Sequence, residues 1–129
     1  MKKLLVDNAI EAMGRAYAPY SGFSVGAALA TREGKIYIGT NIENASFGVT
    51  NCAERTALFS AVAAGEREFS AIAIVGGRGG EIKDFCHPCG ICRQALSEFC
   101  GPEFEVYLYN GREIKTYTLS ELFPESFSL

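Results

Sequence analysis

Ala71-Ile72-Ala73-Ile74-Val75 is an unbroken apolar run, and it decides the fold. A strand with one face in water alternates apolar and polar residues, whereas a strand covered on both faces does not. The run therefore predicts a central strand sandwiched between helices. Upstream of it, Cys52 to Ala64 is rich in Ala, Leu and Val. With Glu54 and Arg55 in its first turn and Gly65 after it, this segment predicts a helix. Downstream, Pro88 suits a first helical position, so a second helix is expected from there to about Gly101. Gly76-Gly77-Arg78-Gly79-Gly80 has neither a helix directly after it nor the Lys-Ser/Thr of a phosphate-cradling loop, and reads as a flexible connection.

Farther out, Ser24–Ala30 and Lys35–Thr40 are strand-like and joined by Arg32-Glu33-Gly34, a hairpin turn. Phe104–Tyr109 and Glu113–Thr118 form a second pair around Asn110-Gly111, a dipeptide that favours a tight hairpin. At the start of the chain Val6, Ala9, Ile10, Met13, Ala16 and Tyr17 recur at helical spacing, predicting a helix over Leu4–Tyr17 that Pro19, Ser21 and Gly22 break. A short helix over Leu119–Leu122 is expected near the C-terminus. Strands alternating with helices indicate a layered α/β architecture. At 129 residues, with no repeat or linker, residues 1–129 are expected to be one domain.

Hydrophobic residues make up 48% of the chain and the formal charge is −3, which argues against disorder and against a nucleic acid as the main partner. No stretch approaches the ~20 apolar residues needed to span a bilayer. Lys2 and Lys3 precede Leu4, Leu5 and Val6 in the manner of a signal peptide, but Asp7, Asn8 and Glu11 interrupt the apolar run too early. No membrane association and a cytoplasmic location are expected. In a reducing compartment the five cysteines are thiols or metal ligands rather than disulfides.

Two segments carry the chemistry, Asn51-Cys52-Ala53-Glu54-Arg55 and Pro88-Cys89-Gly90-Ile91-Cys92-Arg93-Gln94, and each opens a predicted helix. Cys89 and Cys92, three apart in a first turn, project from one face and can share an ion. Helix N-termini favour thiolate over thiol. Two such ends meeting gather Cys52, Cys89 and Cys92 around one Zn²⁺ and leave a fourth position for water, which is the pattern of a catalytic zinc. Glu54, two residues from Cys52, can reach that water. Three thiolates leave the cluster negative, and Arg55, hydrogen-bonding to the sulfurs, would withdraw that charge.

These motifs resemble those of the zinc-dependent nucleoside deaminases, with Cys52 where the H-x-E signature has histidine, as in the small three-cysteine cytidine deaminases. The resemblance extends to Ala18-Pro19-Tyr20-Ser21, Phe23, Val25-Gly26-Ala27-Ala28 and Asn41-Ile42-Glu43-Asn44-Ala45-Ser46. It implies a three-layer α/β/α fold around a mixed five-stranded sheet, and a homotetramer whose active sites are shared between subunits. It also implies deamination of cytidine and 2′-deoxycytidine to uridine or deoxyuridine and ammonia, in pyrimidine salvage. By position, Asn41 and Glu43 would bind the ribose, Phe23 would pack beside the pyrimidine, and the backbone at Ala53 would meet the base carbonyl. The C-terminal aromatic given by a neighbouring subunit corresponds to Phe127, with Phe123 close by. Glu54 would carry a proton from the activated water to ring N3 and pass one to the departing amine.

Other readings stand beside this one. A Cys-x₂-Cys pair alone is often structural, and Cys86-x₂-Cys89-x₂-Cys92 suggests an iron–sulfur cluster until Leu96 and Ser97 appear where a cysteine and a proline are required. Cys86 reads as a spectator thiol or else a fourth structural ligand, Cys100 as core filler, and His87 as a loop residue outside the site. A blasticidin-type deaminase would lack the Asn-x-Glu-Asn segment, and a deoxycytidylate deaminase would need cations for a phosphate. A zinc-stapled binding module would not need Glu54.

Overall fold

The computed structural model describes residues 1–129. Its elements are α1 (Lys2–Met13), β1 (Phe23–Thr31), β2 (Ile36–Thr40), a 3₁₀ turn (Phe47–Val49), α2 (Ala53–Ala63), β3 (Phe69–Arg78), α3 (Gly90–Phe99), β4 (Glu105–Tyr109), β5 (Ile114–Thr118) and α4 (Leu119–Leu122). The sheet order is β2-β1-β3-β4-β5. Only β3 and β4 run parallel, so the sheet is mixed, as expected.

The two faces explain the apolar run in β3. Ala71, Ala73 and Val75 face α1, packing with Leu5, Val6, Ala9 and Met13. Ile72 and Ile74 face the other way, toward Ala57, Leu58 and Ala61 of α2 and Leu96 of α3. Both sides are covered, so neither side needs polar residues. Two glycines set how closely the helices approach. A Cβ on Gly26 would collide with the backbone of Ala9 and Met13 in α1, and one on Gly39 with the backbone of Ala53 and Ala57 in α2.

Two expectations need correction. The first helix ends at Met13 and does not continue to Tyr17. Tyr17 instead pairs with the segment after β2, receiving a bond from Glu43 N–H and donating its own N–H to Asn41. The glycine-rich run is not simply a connection. Gly76, Gly77 and Arg78 continue β3, paired with Val25, Ser24 and Phe23. Glycine is required there because the returning chain at Glu81 lies directly against Gly77. Only Gly79 and Gly80, at φ +65° and +82°, make the turn.

Candidate active site

The site begins with two helix starts built alike. Cys52 caps α2 and Cys89 caps α3, both with extended backbone, and neither uses its side chain as a cap. The thiols are therefore free to turn toward each other. At an N-terminus the cap side chain and the side chain of the third helical residue are neighbours, as in a capping box. In α2 that third residue is Arg55, whose Nη2 donates to Cys52 Sγ at 3.3 Å. In α3 it is Cys92, 3.5 Å from Cys89 Sγ. Cys52 and Cys89 are 3.7 Å apart, and all three sulfurs lie within 4.8 Å of one another.

This donor set fits zinc. Tetrahedral zinc–thiolate bonds of ~2.3 Å place sulfurs about 3.8 Å apart, close to both observed separations. The surrounding charge agrees. The Cys52 thiol is pulled down to about 5, foremost by the hydrogen bond with Cys92 and, against burial, by Arg55 and Cys89. Cys92 is driven upward by that same contact and by burial. One sulfur thus takes the negative charge first, and a second thiolate beside it calls for a cation to offset its charge. Burial opposes the Arg55 charge, but bonds to Cys52 and Cys92 outweigh it and raise its affinity for the proton. Its Nε is buried without a partner, while Nη2 holds the guanidinium against Cys52 Sγ.

Glu54 follows the Cys52 cap in the first turn of α2, 4% exposed. Burial, reinforced by the charge on Cys52, pushes its carboxyl up to about 7. It lines a cavity of about 290 Å³ together with Cys52, Cys89, Phe23, Asn41, Glu43 and Ala53. The chain reaches this arrangement through a short ladder: Ile42 exchanges both backbone bonds with Asn51, so the segment after β2 lies against the residue before Cys52. Asn41 carries the ladder onto β1, its amide donating to Phe23 C=O and accepting from Val25 N–H, both at 2.8 Å. Glu43 accepts from Tyr20 N–H at 2.9 Å and Ser21 N–H at 3.1 Å, and from the Ser21 hydroxyl. The hydroxyl bond foremost, with the backbone bonds, holds Glu43 below the usual carboxylate range.

Of the residues singled out in the sequence, Cys52, Cys89, Glu54, Phe23, Asn41, Glu43 and Ala53 share this cavity, with Cys92 and Arg55 beside it. Phe127 does not. It is 65% exposed and lines a separate cavity with Cys100, Pro102 and Leu119. Phe123 lines that second cavity too. His87, read from the sequence as a loop residue outside the site, lines the Glu54 cavity, and so does Cys86, whose thiol stays apart from the three clustered sulfurs. The signal was their place just before Pro88, since the residues leading into a ligand-bearing helix start must pass beside the site. Cys100 is buried core filler, as expected.

Residues 1–108 match the family described as the cytidine and deoxycytidylate deaminase zinc-binding region. The chain is 48% identical over 128 residues to a cytidine deaminase of Halalkalibacterium halodurans, covering 98% of this chain and 94% of that protein. It superposes on the crystal structure of a cytidine deaminase from Burkholderia pseudomallei with a TM-score of 0.91 at 48% identity, covering 98% and 99% of the two chains. A cytidine deaminase structure from Mycobacterium tuberculosis matches with a TM-score of 0.84 at 36% identity, covering 98% of this chain and 97% of that one.

Proposed function

The chain belongs to the cytidine and deoxycytidylate deaminases with a zinc-binding region, and from that premise we infer that it is a cytidine deaminase, a zinc-dependent hydrolase that converts cytidine and water to uridine and ammonia. The observation that carries this reading is one cavity joining a buried carboxyl, a three-thiol cluster and a polar rim. Cys52, Cys89 and Cys92 would hold the zinc, whose Lewis acidity makes water nucleophilic near neutral pH. Arg55 draws negative charge off Cys52. Glu54, held near neutrality by burial, is suited both to accept and to release a proton. It takes one from the attacking water and delivers it to ring N3 as the C4–O bond forms, then takes the remaining proton of the new C4 hydroxyl and passes it to the amine as the C4–N bond breaks and the C4 carbonyl forms.

Asn41 and Glu43 sit at the rim where a sugar hydroxyl would enter, and each retains bonding capacity beyond the contacts it already makes. Phe23 would pack beside the pyrimidine, and the N–H of Ala53 at the start of α2 would meet the base carbonyl. The only basic side chain lining the cavity is His87, which favours a neutral nucleoside over a nucleotide. None of these contacts touches the ribose 2′ position, so 2′-deoxycytidine belongs to the same substrate class.

Residues 1–129 serve in this reading as one deaminase domain, completed by further copies. Tyr17, Tyr20, Ile42, Phe47 and Val49 are all exposed on the segments beside the cavity, with Tyr20 and Phe47 edge to face at 6.3 Å. Such a surface suits the homotetramer, in which Phe127 of a neighbour would close the site. No helix is long and apolar enough to cross a membrane, and all five cysteines are unpaired, which supports a cytoplasmic location.

The decisive test is Glu54→Gln, assayed by the ultraviolet change as cytidine becomes uridine. The variant is expected to hold zinc and to lose at least ~10²–10⁴ in rate. A zinc-loaded Glu54→Gln protein working at near wild-type rate refutes the assignment.

A further inference from the structure

Three side chains of the cavity wall meet over one backbone point of β3. A Cβ built on Gly76 would lie 3.0 Å from Cys86 Sγ, 3.0 Å from the Phe23 ring and 3.2 Å from Val25 Cγ2. Cys86, Phe23 and Val25 thus close over position 76 so tightly that a methyl group there would have to push them back by a few tenths of an ångström. All three line the cavity that contains Glu54. Cys86 is half-buried and unpaired, and it is not one of the three clustered sulfurs. Nothing in the deamination requires its thiol, yet it occupies the wall of the reaction chamber. A cysteine there behaves as a small apolar filler, intermediate in size between alanine and valine, and needs no hydrogen-bond partner.

This inference rests on the nucleoside reading above. In that orientation the ring N3 and carbonyl edge faces Glu54 and Ala53, and the sugar lies toward Asn41 and Glu43. The opposite edge, C5 and C6, is left to the wall formed over Gly76. We propose that Cys86 is a specificity-determining residue. Together with Phe23 and Gly76 it sets the depth of the pocket beyond pyrimidine C5, and so decides which 5-substituted cytidines are accepted. One methyl group more or less in an apolar pocket typically changes discrimination by about 10–200-fold, enough to make a single wall residue visible in kinetics.

The test compares kcat/KM for 5-methylcytidine with that for cytidine in zinc-loaded wild type, Cys86→Ala, Cys86→Val, Gly76→Ala and the Gly76→Ala/Cys86→Ala double variant. Cys86→Ala is expected to raise the 5-methylcytidine to cytidine ratio about tenfold, and Cys86→Val and Gly76→Ala to lower it by a similar factor. In the double variant the removed sulfur makes room for the added methyl, so the ratio returns toward wild type, a coupling that independent sites would not show. Ratios within about twofold of wild type in all three single variants overturn the proposal, as does an equal loss on both substrates, the mark of a purely structural role. Should Cys86→Ala fail to fold, Cys86→Val and Gly76→Ala still decide the question. A zinc-loaded wild type that does not deaminate cytidine refutes the nucleoside reading itself and this inference with it. An unchanged ratio in an active enzyme refutes this inference alone.

Discussion

Replacing Gly39 by alanine adds one methyl group on β2, away from the reacting atoms, and is expected to disable the site. The new Cβ would overlap Ala53 C=O and Ala57 N–H and lie 3.0 Å from Ala57 Cα. All three are backbone atoms in the first two turns of α2, so no side chain can rotate aside. Restoring ordinary carbon contacts of ~3.5 Å or more requires the helix to retreat by on the order of 1 Å. Cys52 and Glu54 ride at the end of α2 that is displaced, while Cys89 and Cys92 are held by α3 and stay behind. A misplacement of about 1 Å can cost about 10²-fold in rate, and overpacking typically destabilises by ~1–3 kcal/mol. For a chain of this length that corresponds to a Tm lower by roughly 4–12 °C. The assays are cytidine turnover, zinc retention against a competing chelator, and thermal unfolding. Gly101→Ala is the control, because a Cβ there meets nothing within 4 Å. A Gly39→Ala protein with wild-type turnover and zinc retention would refute the idea that this close approach positions the site.

Removing the Arg55 guanidinium with Arg55→Gln should make the sulfurs more negative and lower kcat about tenfold or more, with zinc still bound; unchanged kcat at full zinc content refutes it. Glu43→Gln loses acceptor strength toward Tyr20 N–H and both Ser21 donors. It should raise KM for cytidine more than it lowers kcat, and equal effects on the two would refute a binding role. In chelator-stripped protein, Glu54 has a folded pKa of about 7, above its ordinary value of 4.5. Its contribution to stability is therefore fully present below about 4.5 and lost as pH rises through about 7, on the order of 3 kcal/mol. Denaturant titrations across that window should show stripped wild type falling relative to stripped Glu54→Gln, and parallel curves refute the shift. Chelation should also abolish turnover and added zinc restore it, whereas turnover indifferent to both would exclude a metal-dependent reaction.

The sequence made the central strand and both ligand-bearing helices legible because their signals are local. An apolar run, a capping position and a cysteine spacing all lie within a few residues. What it concealed depends on contacts between distant segments. Gly76 and Gly77 look like loop residues until β1 is seen to pair with them, and their lack of side chains answers to Cys86, Phe23 and Glu81. Tyr17 keeps helical spacing, yet its backbone bonds to Asn41 and Glu43 draw it out of the helix. Cys86 and His87 carry no motif of their own, and only the path of the chain into α3 sets them on the cavity wall. Phe127 stands out by resemblance alone, and within one chain it lies away from the Glu54 cavity.

Asn41 does two jobs with one amide. The last rung between β1 and β2 joins Gly26 to Thr40, and the Asn41 side chain then adds a further rung by imitating a peptide group against Val25 and Phe23. Such a mimic needs a donor and an acceptor at once, so aspartate would set a carboxylate oxygen against the Phe23 carbonyl and alanine would leave both strand groups unpaired. A change of sugar preference, in nature or by design, is therefore constrained at this position by the integrity of the sheet. Thr50 on the same rim lies outside the sheet, its hydroxyl holding only the Asn44 N–H of a loop, so substrate range can drift there at a smaller structural cost.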